Sequence, residues 1–321
     1  MRLAVVGAGD VGRAVAEMAG DRGHEVVALA DSETAVVDGA GVDVDAALAR
    51  KGESGRVGDA DPDAALSADY DALVEATPTT LGDAQPGFRH ARTALSRDRH
   101  VVLANKGPVA ERYGDLRESA GDSAGRVRME AAVGGAVPVL STIEDLGAGQ
   151  VTAVRGVLNG TANFVLSRMA AAGLDFEHVL SEAQDLGVAE ADPSFDVEGT
   201  DAALKCVILA NVLRDGTPGE RPGGWLSLSD AEVDGIRDLP PSALALARED
   251  GRTVRLVGEV TRESVRVGPR LVPEHGTLAV TGTRNIVEIE TRDAGRLAIS
   301  GRGAGGPETA SAVLADVWRL G

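Results

Sequence analysis

A chain of 321 residues with one cysteine, Cys206, and three lysines, Lys51, Lys106 and Lys205, is short of two reactive side chains at once. The single cysteine excludes an internal disulfide framework and any metal cluster built on thiolates, and it fits a reducing compartment. Cys206 reads as a small buried apolar residue on a helix rather than a reactive thiol. The five histidines, His24, His90, His100, His178 and His275, show no ligand spacing for a catalytic metal. Basic patches are missing too. With a formal net charge of -18 the chain has no basic patch to follow a nucleic-acid backbone, so no nucleic-acid partner is expected. No apolar run approaches a membrane span. The start MRLAVVGAGD enters a strand pattern without a charged leader or apolar signal segment, so the expectation is a soluble, cytoplasmic protein that does not touch membranes. Strong acidity with scarce lysine is the balance of halophilic proteins, where concentrated salt screens self-repulsion. In such a chain each remaining lysine is a candidate for a specific task.

What is present begins with the N-terminus. Arg2 to Val6 is a short apolar strand, followed at once by Gly7-Ala8-Gly9-Asp10-Val11-Gly12, a helical segment, and a second strand, Glu25 to Ala30, that ends in Asp31. This order is the context in which a glycine fingerprint means dinucleotide binding. Gly7 serves the tight turn, Gly9 lets the backbone approach a pyrophosphate, and Gly12 lets helix and strand pack closely. Asp31 stands where an acidic residue accepts from a ribose 2′-hydroxyl, which favours NAD, while Arg50 and Lys51 close behind could meet the 2′-phosphate of NADP. Strands at Ala72 to Glu75, His100 to Leu103 and Arg126 to Met129 alternate with helical segments, so a Rossmann-type doubly wound parallel sheet in an α/β fold is expected. Such sheets bind ligands at the carboxyl ends of their strands, which places Thr77, Pro78 and Lys106 where a nicotinamide ring and its substrate would meet.

After about Leu140 the texture changes. A strand at Val154 to Leu158 leads into Asn159-Gly160-Thr161, which opens a helix through Ala171, and another helix starts near Gly199. Gly216 to Gly224 is rich in Gly and Pro and reads as a surface loop. Val254 to Val260, Val265 to Val267, Leu278 to Val280 and Ile286 to Ile289 alternate as antiparallel strands would. A second, α+β domain that holds the substrate follows, with a C-terminal helix from about Thr309 to Leu320. The expected division is a nucleotide domain at 1–133, to which 301–321 returns, and a dimerisation and substrate-binding domain at 134–300.

The stretches GAGDVG, ATPTT, LANKGPVA, AAVGGAVPVL, GVLNGTANFVL, EAQDLGVAEADPSFDVEGTDAALK and GRGAGGPETASAVLADV resemble homoserine dehydrogenases, in order and along essentially the whole chain. The resemblance implies reversible NAD(P)-dependent interconversion of L-homoserine and L-aspartate 4-semialdehyde, on the route to threonine, isoleucine and methionine, in a homodimer. It makes Lys205 the proton donor, Lys106 the lysine between cofactor and substrate, and Asp201 and Glu190 homoserine-binding positions. Gly160, Thr161 and Asp196 fall in substrate-contacting stretches, and Gly305 matches a cofactor-contacting glycine. Glu130, Val133, Gly135 and Val137 match a site for a structural monovalent cation, Na+ or K+. Many relatives continue into a regulatory ACT domain, whereas this sequence stops at Gly321, so feedback inhibition through such a domain is not expected.

The chemistry asks for these residue types. Hydride transfer to an aldehyde carbon leaves negative charge on the oxygen, and an ammonium can both stabilise it and deliver a proton. Asp201 and Lys205 are i and i+4, so on a helix they share a face; an ordinary surface ion pair has the same spacing. Asp192 and Glu198 read as capping or surface acids. Two alternatives stand beside this one: another two-domain dehydrogenase of amino acids, such as an aspartate dehydrogenase, and a nucleotide-sensing protein without turnover.

Overall fold

Six strands form the first sheet: β1 (Arg2–Val6), β2 (Glu25–Ala30), β3 (Ala35–Val37), β4 (Ala72–Glu75), β5 (His100–Leu103) and β6 (Val127–Arg128), in the order β3-β2-β1-β4-β5-β6. The computed structural model describes residues 1–216 and 224–321, so residues 217–223, most of the expected Gly- and Pro-rich loop, lie outside the described residues. Five strands of this sheet are parallel, and β3 adds an antiparallel edge to β2. Leu3 to Val6 of β1 and Ala72 to Val74 of β4 are apolar because a parallel strand is covered on both faces and has no wet side to mark by alternation. β3 was invisible in the sequence, since three residues carry no period. The strand order reverses between β1 and β4, and the carboxyl ends of these two strands are where this topology takes a ligand.

Helix Asp10–Ala19 follows β1 and packs beside helix Gly306–Trp318. A Cβ on Gly306 would come within 2.8 Å of the Asp10 carbonyl oxygen, so the two helix starts are in close contact. The core beneath them includes Leu3, Val5, Val15, Leu29, Val313 and Leu314. Met1–Ala136 together with Ala304–Gly321 make one unit, and Val137–Gly303 the other.

The second unit is built on β7 (Val151–Val157), β8 (Glu232–Val233), β9 (Arg252–Val260), β10 (Val265–Pro273), β11 (Arg284–Thr291) and β12 (Arg296–Arg302), ordered β12-β11-β7-β9-β10-β8. Pairing is antiparallel except between β8 and β10. Helix Thr200–Asp215 lies against β7, β9 and β10 and is buried nearly all round, polar side chains such as Asp201, Lys205 and Asn211 included. Leu278–Val280, expected as a strand, is instead a turn region whose side chains pack on Val157, Val257 and Ile286. A three-residue apolar run does not say whether it is a strand or a plug. The edge strand β12 went unread because half of its residues face outward, which leaves little apolar signal. Among the described residues no helix is long and apolar enough to cross a membrane.

Candidate active site

The nucleotide turn is shaped by what its glycines leave out. Gly7 has a φ of +101°, and a Cβ there would lie 2.5 Å from the main chain of Ala76. A Cβ on Gly12 would lie 1.7 Å from the Gly7 carbonyl oxygen. Both positions require glycine for β1, the turn and the loop after β4 to close on one another. Gly9 is different: nothing lies within 4 Å of a Cβ built on it. It is the N-cap of helix Asp10–Ala19 and makes no side-chain cap, so the first helical amides face open space and fit an anionic group such as a pyrophosphate. Asp10 is exposed and Val11 half-buried on the first turn. Gly305, with a φ of +121°, is the N-cap of helix Gly306–Trp318.

Asp31 ends the segment after β2 with its carboxylate 4% exposed. One oxygen accepts from the amides of Glu33 (2.9 Å) and Thr34 (2.7 Å), and the other from Lys51 Nζ (3.0 Å) and the Val57 amide (3.0 Å). Burial works to raise its pKa, but these donors together outweigh it and hold the carboxyl down at about 2. The acid read as a ribose acceptor and the lysine read as a phosphate ligand are therefore one ion pair. Arg50 turns away and pairs with Asp59.

At the ends of β4 and β5, Asn105 caps the helix Lys106–Glu111 by accepting from the Gly107 amide at 2.9 Å. Its Nδ2 donates to Thr77 Oγ1 (3.1 Å) and to the Pro78 carbonyl (3.2 Å), which ties the Thr77-Pro78 turn to the helix that starts with Lys106. Asn105 was not singled out from the sequence, although an Asn just before a helix is a capping signal.

The second unit brings Asn159, Asp196, Asp201 and Lys205 together. Asn159 caps helix Gly160–Ala172 through its Oδ1, which accepts from the Ala162 amide at 2.8 Å. Its two N–H donors go to Asp196 Oδ1 (2.6 Å) and Asp201 Oδ2 (2.9 Å). Three bonds of fixed polarity leave the carboxamide one orientation. Lys205 Nζ donates to Asp201 Oδ2 and to the Leu158 carbonyl, each at 2.7 Å. Both side chains of the pair are about nine-tenths buried, so this is not the exposed i,i+4 bridge its spacing also allowed. Asp201 sits in the first turn of helix Thr200–Asp215, where the helix dipole favours an anion. Gly199, at φ +85°, makes the left-handed entry to that helix against Val233. An ammonium has three donors, and two of Lys205's are engaged, which leaves one for a substrate oxygen. Asn159, like Asn105, is a residue that sequence reasoning missed. The turn was recognised, but its capping residue was not given a role.

Gly160 is close-packed, since a Cβ there would lie 2.9 Å from the Thr283 carbonyl oxygen, and Thr161 Oγ1 donates to the Val188 carbonyl at 3.1 Å. Glu190 is exposed and stands outside the Asn159 network, with its carbonyl accepting from Gln184 Nε2. Asp192 caps its own turn at the Ser194 amide, and Glu198 pairs with Arg237. Glu130 is buried, and its amide donates to Asp316 Oδ2 at 2.8 Å. Burial pushes the Asp316 carboxyl up to about 6. Val133 is buried and bonds back to the Glu130 carbonyl, Gly135 has a φ of +53°, and Val137 opens the second unit. Among the described residues no group of three or more His, Cys, Asp or Glu side chains could hold a metal ion.

Comparison with known proteins adds the family. A family model described as homoserine dehydrogenase matches residues 138–318, and one for glutamate, leucine, phenylalanine and valine dehydrogenases matches residues 1–81. The chain is 37% identical to a homoserine dehydrogenase of Methanocaldococcus jannaschii, covering 99% of this chain and 97% of that protein. It is 35% identical to an NAD(+)-dependent homoserine dehydrogenase of Pseudomonas canavaninivorans, covering 98% and 95%. Among solved structures, a hyperthermophilic archaeal homoserine dehydrogenase in complex with NADPH superposes with a TM-score of 0.83 at 26% identity, covering 99% of this chain and 97% of that one. The chain belongs to the homoserine dehydrogenase family.

Proposed function

We propose that the protein interconverts L-homoserine and L-aspartate 4-semialdehyde with NAD or NADP, and that Lys205 is its proton donor. The observation that carries this is the buried Asn159, Asp201 and Lys205 arrangement, which holds an ammonium in place with one donor to give. When bound, the nicotinamide supplies or accepts the hydride. In the direction of reduction, Lys205 gives its proton to the oxygen of the former aldehyde; in the direction of oxidation it takes the hydroxyl proton back. Asp201 and Asp196 suit the cationic α-ammonium of the substrate, and Glu190 adds a carboxylate on the preceding loop. Gly160 and Thr161 shape the turn beneath them. Gly7, Gly9, Asp10, Val11 and Gly12 hold the pyrophosphate, Thr77, Pro78, Lys106 and Gly305 complete the cofactor side, and the Asp31–Lys51 pair meets the adenosine ribose.

In the same proposal residues 1–133 with 301–321 serve the nucleotide and 134–300 serve the substrate and a homodimer, in the cytoplasm. Glu130, with Val133, Gly135 and Val137, takes a monovalent cation. The burial of Glu130 supports this, because a carboxylate held out of water favours a counter-ion.

The test is absorbance at the reduced-nicotinamide band, with purified protein, L-homoserine and either NAD or NADP, and L-aspartate as control substrate. A rise with homoserine alone is expected. A folded protein that stays silent with homoserine under low and high salt would end the proposal, and turnover of aspartate would move it to the amino-acid dehydrogenases.

A further inference from the structure

We infer that Glu75 is a positioning residue that sets the loop after β4 and, through Asn105, the start of the helix that carries Lys106. The inference rests on Thr77, Pro78 and Lys106 being the cofactor-side residues proposed above, and it adds a residue that neither the sequence motifs nor the family resemblance pointed to.

Glu75 is the last residue of β4 and is 0% exposed. A carboxylate so placed must be compensated by donors. The Thr77 amide reaches Oε1 at 3.1 Å and Oε2 at 3.4 Å, and the Thr77 hydroxyl bonds to the same carboxylate. His90 Nδ1 lies 3.8 Å from Oε1 and is buried with no hydrogen-bond partner.

Polarity then runs one way. A hydroxyl has one proton, and a carboxylate can only accept, so the Thr77 proton points to Glu75 and Oγ1 is left to accept from Asn105 Nδ2 at 3.1 Å. The other Asn105 N–H goes to the Pro78 carbonyl, and its Oδ1 takes the Gly107 amide. The Lys106 amide reaches Thr79 Oγ1 at 3.4 Å. Reversing any one member would set donor against donor. The packing has no slack either. A Cβ on Gly107 would lie 2.2 Å from the Thr80 carbonyl oxygen, and one on Gly87 would lie 2.6 Å from Asn105 Nδ2 and 3.3 Å from Glu75 Oε1. Glu75 is therefore the terminal acceptor that orients Thr77 and, through Asn105, the first turn in front of Lys106. A glutamine there offers one acceptor oxygen where the carboxylate offers two.

Three variants test this: Glu75→Gln, Thr77→Val, which removes the hydroxyl link at nearly constant shape, and Thr77→Ser, which keeps it. Binding of NADH and NADPH is read by fluorescence without substrate, together with thermal melting and the KM values for cofactor and homoserine. Glu75→Gln and Thr77→Val are expected to weaken reduced-cofactor binding and raise the cofactor KM about tenfold, with the homoserine KM within about twofold of wild type. Thr77→Ser is expected to bind like the wild type. Wild-type affinity in folded Glu75→Gln and Thr77→Val would overturn the inference, and so would equal losses for cofactor and homoserine that track the fall in Tm. Should Glu75→Gln not fold, the contrast between Thr77→Val and Thr77→Ser decides, because both retain Glu75. Since binding needs no homoserine, absence of turnover in the wild type and absence of a positioning role are separate results.

Discussion

In the proposed reaction Lys205 is the proton donor, and its surroundings predict how its loss will look. Lys205→Ala removes an ammonium held by Asp201 and the Leu158 carbonyl, both in the second unit, whereas the glycine turn belongs to the first. Turnover should fall by about 10²–10⁴ while NADH or NADPH binding stays within about twofold; equal losses in both would make the residue structural. Asn159→Ala leaves the buried Asp201 and half-buried Asp196 carboxylates without their shared donor and the following helix without its cap, so it should lower stability by about 1–3 kcal/mol, read by urea denaturation, as well as lower turnover. Cys206 is fully buried, and burial pushes its thiol up to about 12. Iodoacetamide at pH 8 should leave it unmodified in the native protein and alkylate it in urea, and native modification would show that the helix opens. Asp31 carries a pH dependence of definite sign. Its folded pKa of about 2 lies below the ordinary 3.8, so its contribution is complete above about pH 4 and is lost as the pH falls towards 2. Melting curves across that window should show Asp31→Asn losing less stability on acidification than the wild type.

Between elements, packing rather than pattern sets the limits. Gly258 on β9 faces helix Thr200–Asp215 so closely that an added Cβ would sit 2.3 Å from Cys206 Sγ, with no other atom nearer than 3.6 Å. Gly258→Ala should therefore cost about 1–3 kcal/mol, and Gly258→Ala with Cys206→Ala should recover most of it. Additive losses in the double variant would mean that strand and helix are held apart by something else. The same scale shows why some elements were legible and others were not. β4 and β5 are apolar runs bounded by turn residues, and their limits were read to the residue. Helix Gly160–Ala172 announced itself by Asn159-Gly160-Thr161. Leu278–Val280 was misread and β12 went unread because a short apolar triad and a half-exposed edge have no local feature that separates strand from turn; their neighbours decide.

The whole molecule carries a net charge of -18, and many of its arginines sit in surface pairs such as Arg89–Asp63, Arg168–Glu182 and Arg237–Glu198. Such pairs contribute little each, and they do not cancel the excess of acid. The Tm should rise when KCl is increased from about 0.1 M to about 2 M, since salt screens the self-repulsion; a flat response would show that the acidic surface is tolerated without salt. The sequence alone determined the Rossmann-type order of the first unit, the glycine turn, the pairing of Asp201 with Lys205 on one helix face, and the family. All of these are local or periodic, and a linear string records such features. Only the tertiary structure decided that Asp201 and Lys205 are buried and joined by Asn159, that Asp31 is sequestered by Lys51, and that Glu75 lies beneath the Thr77 loop. Burial and hydrogen-bond partnership are set by residues distant in the chain, and for a polar side chain those two conditions separate a solvated surface group from a working one.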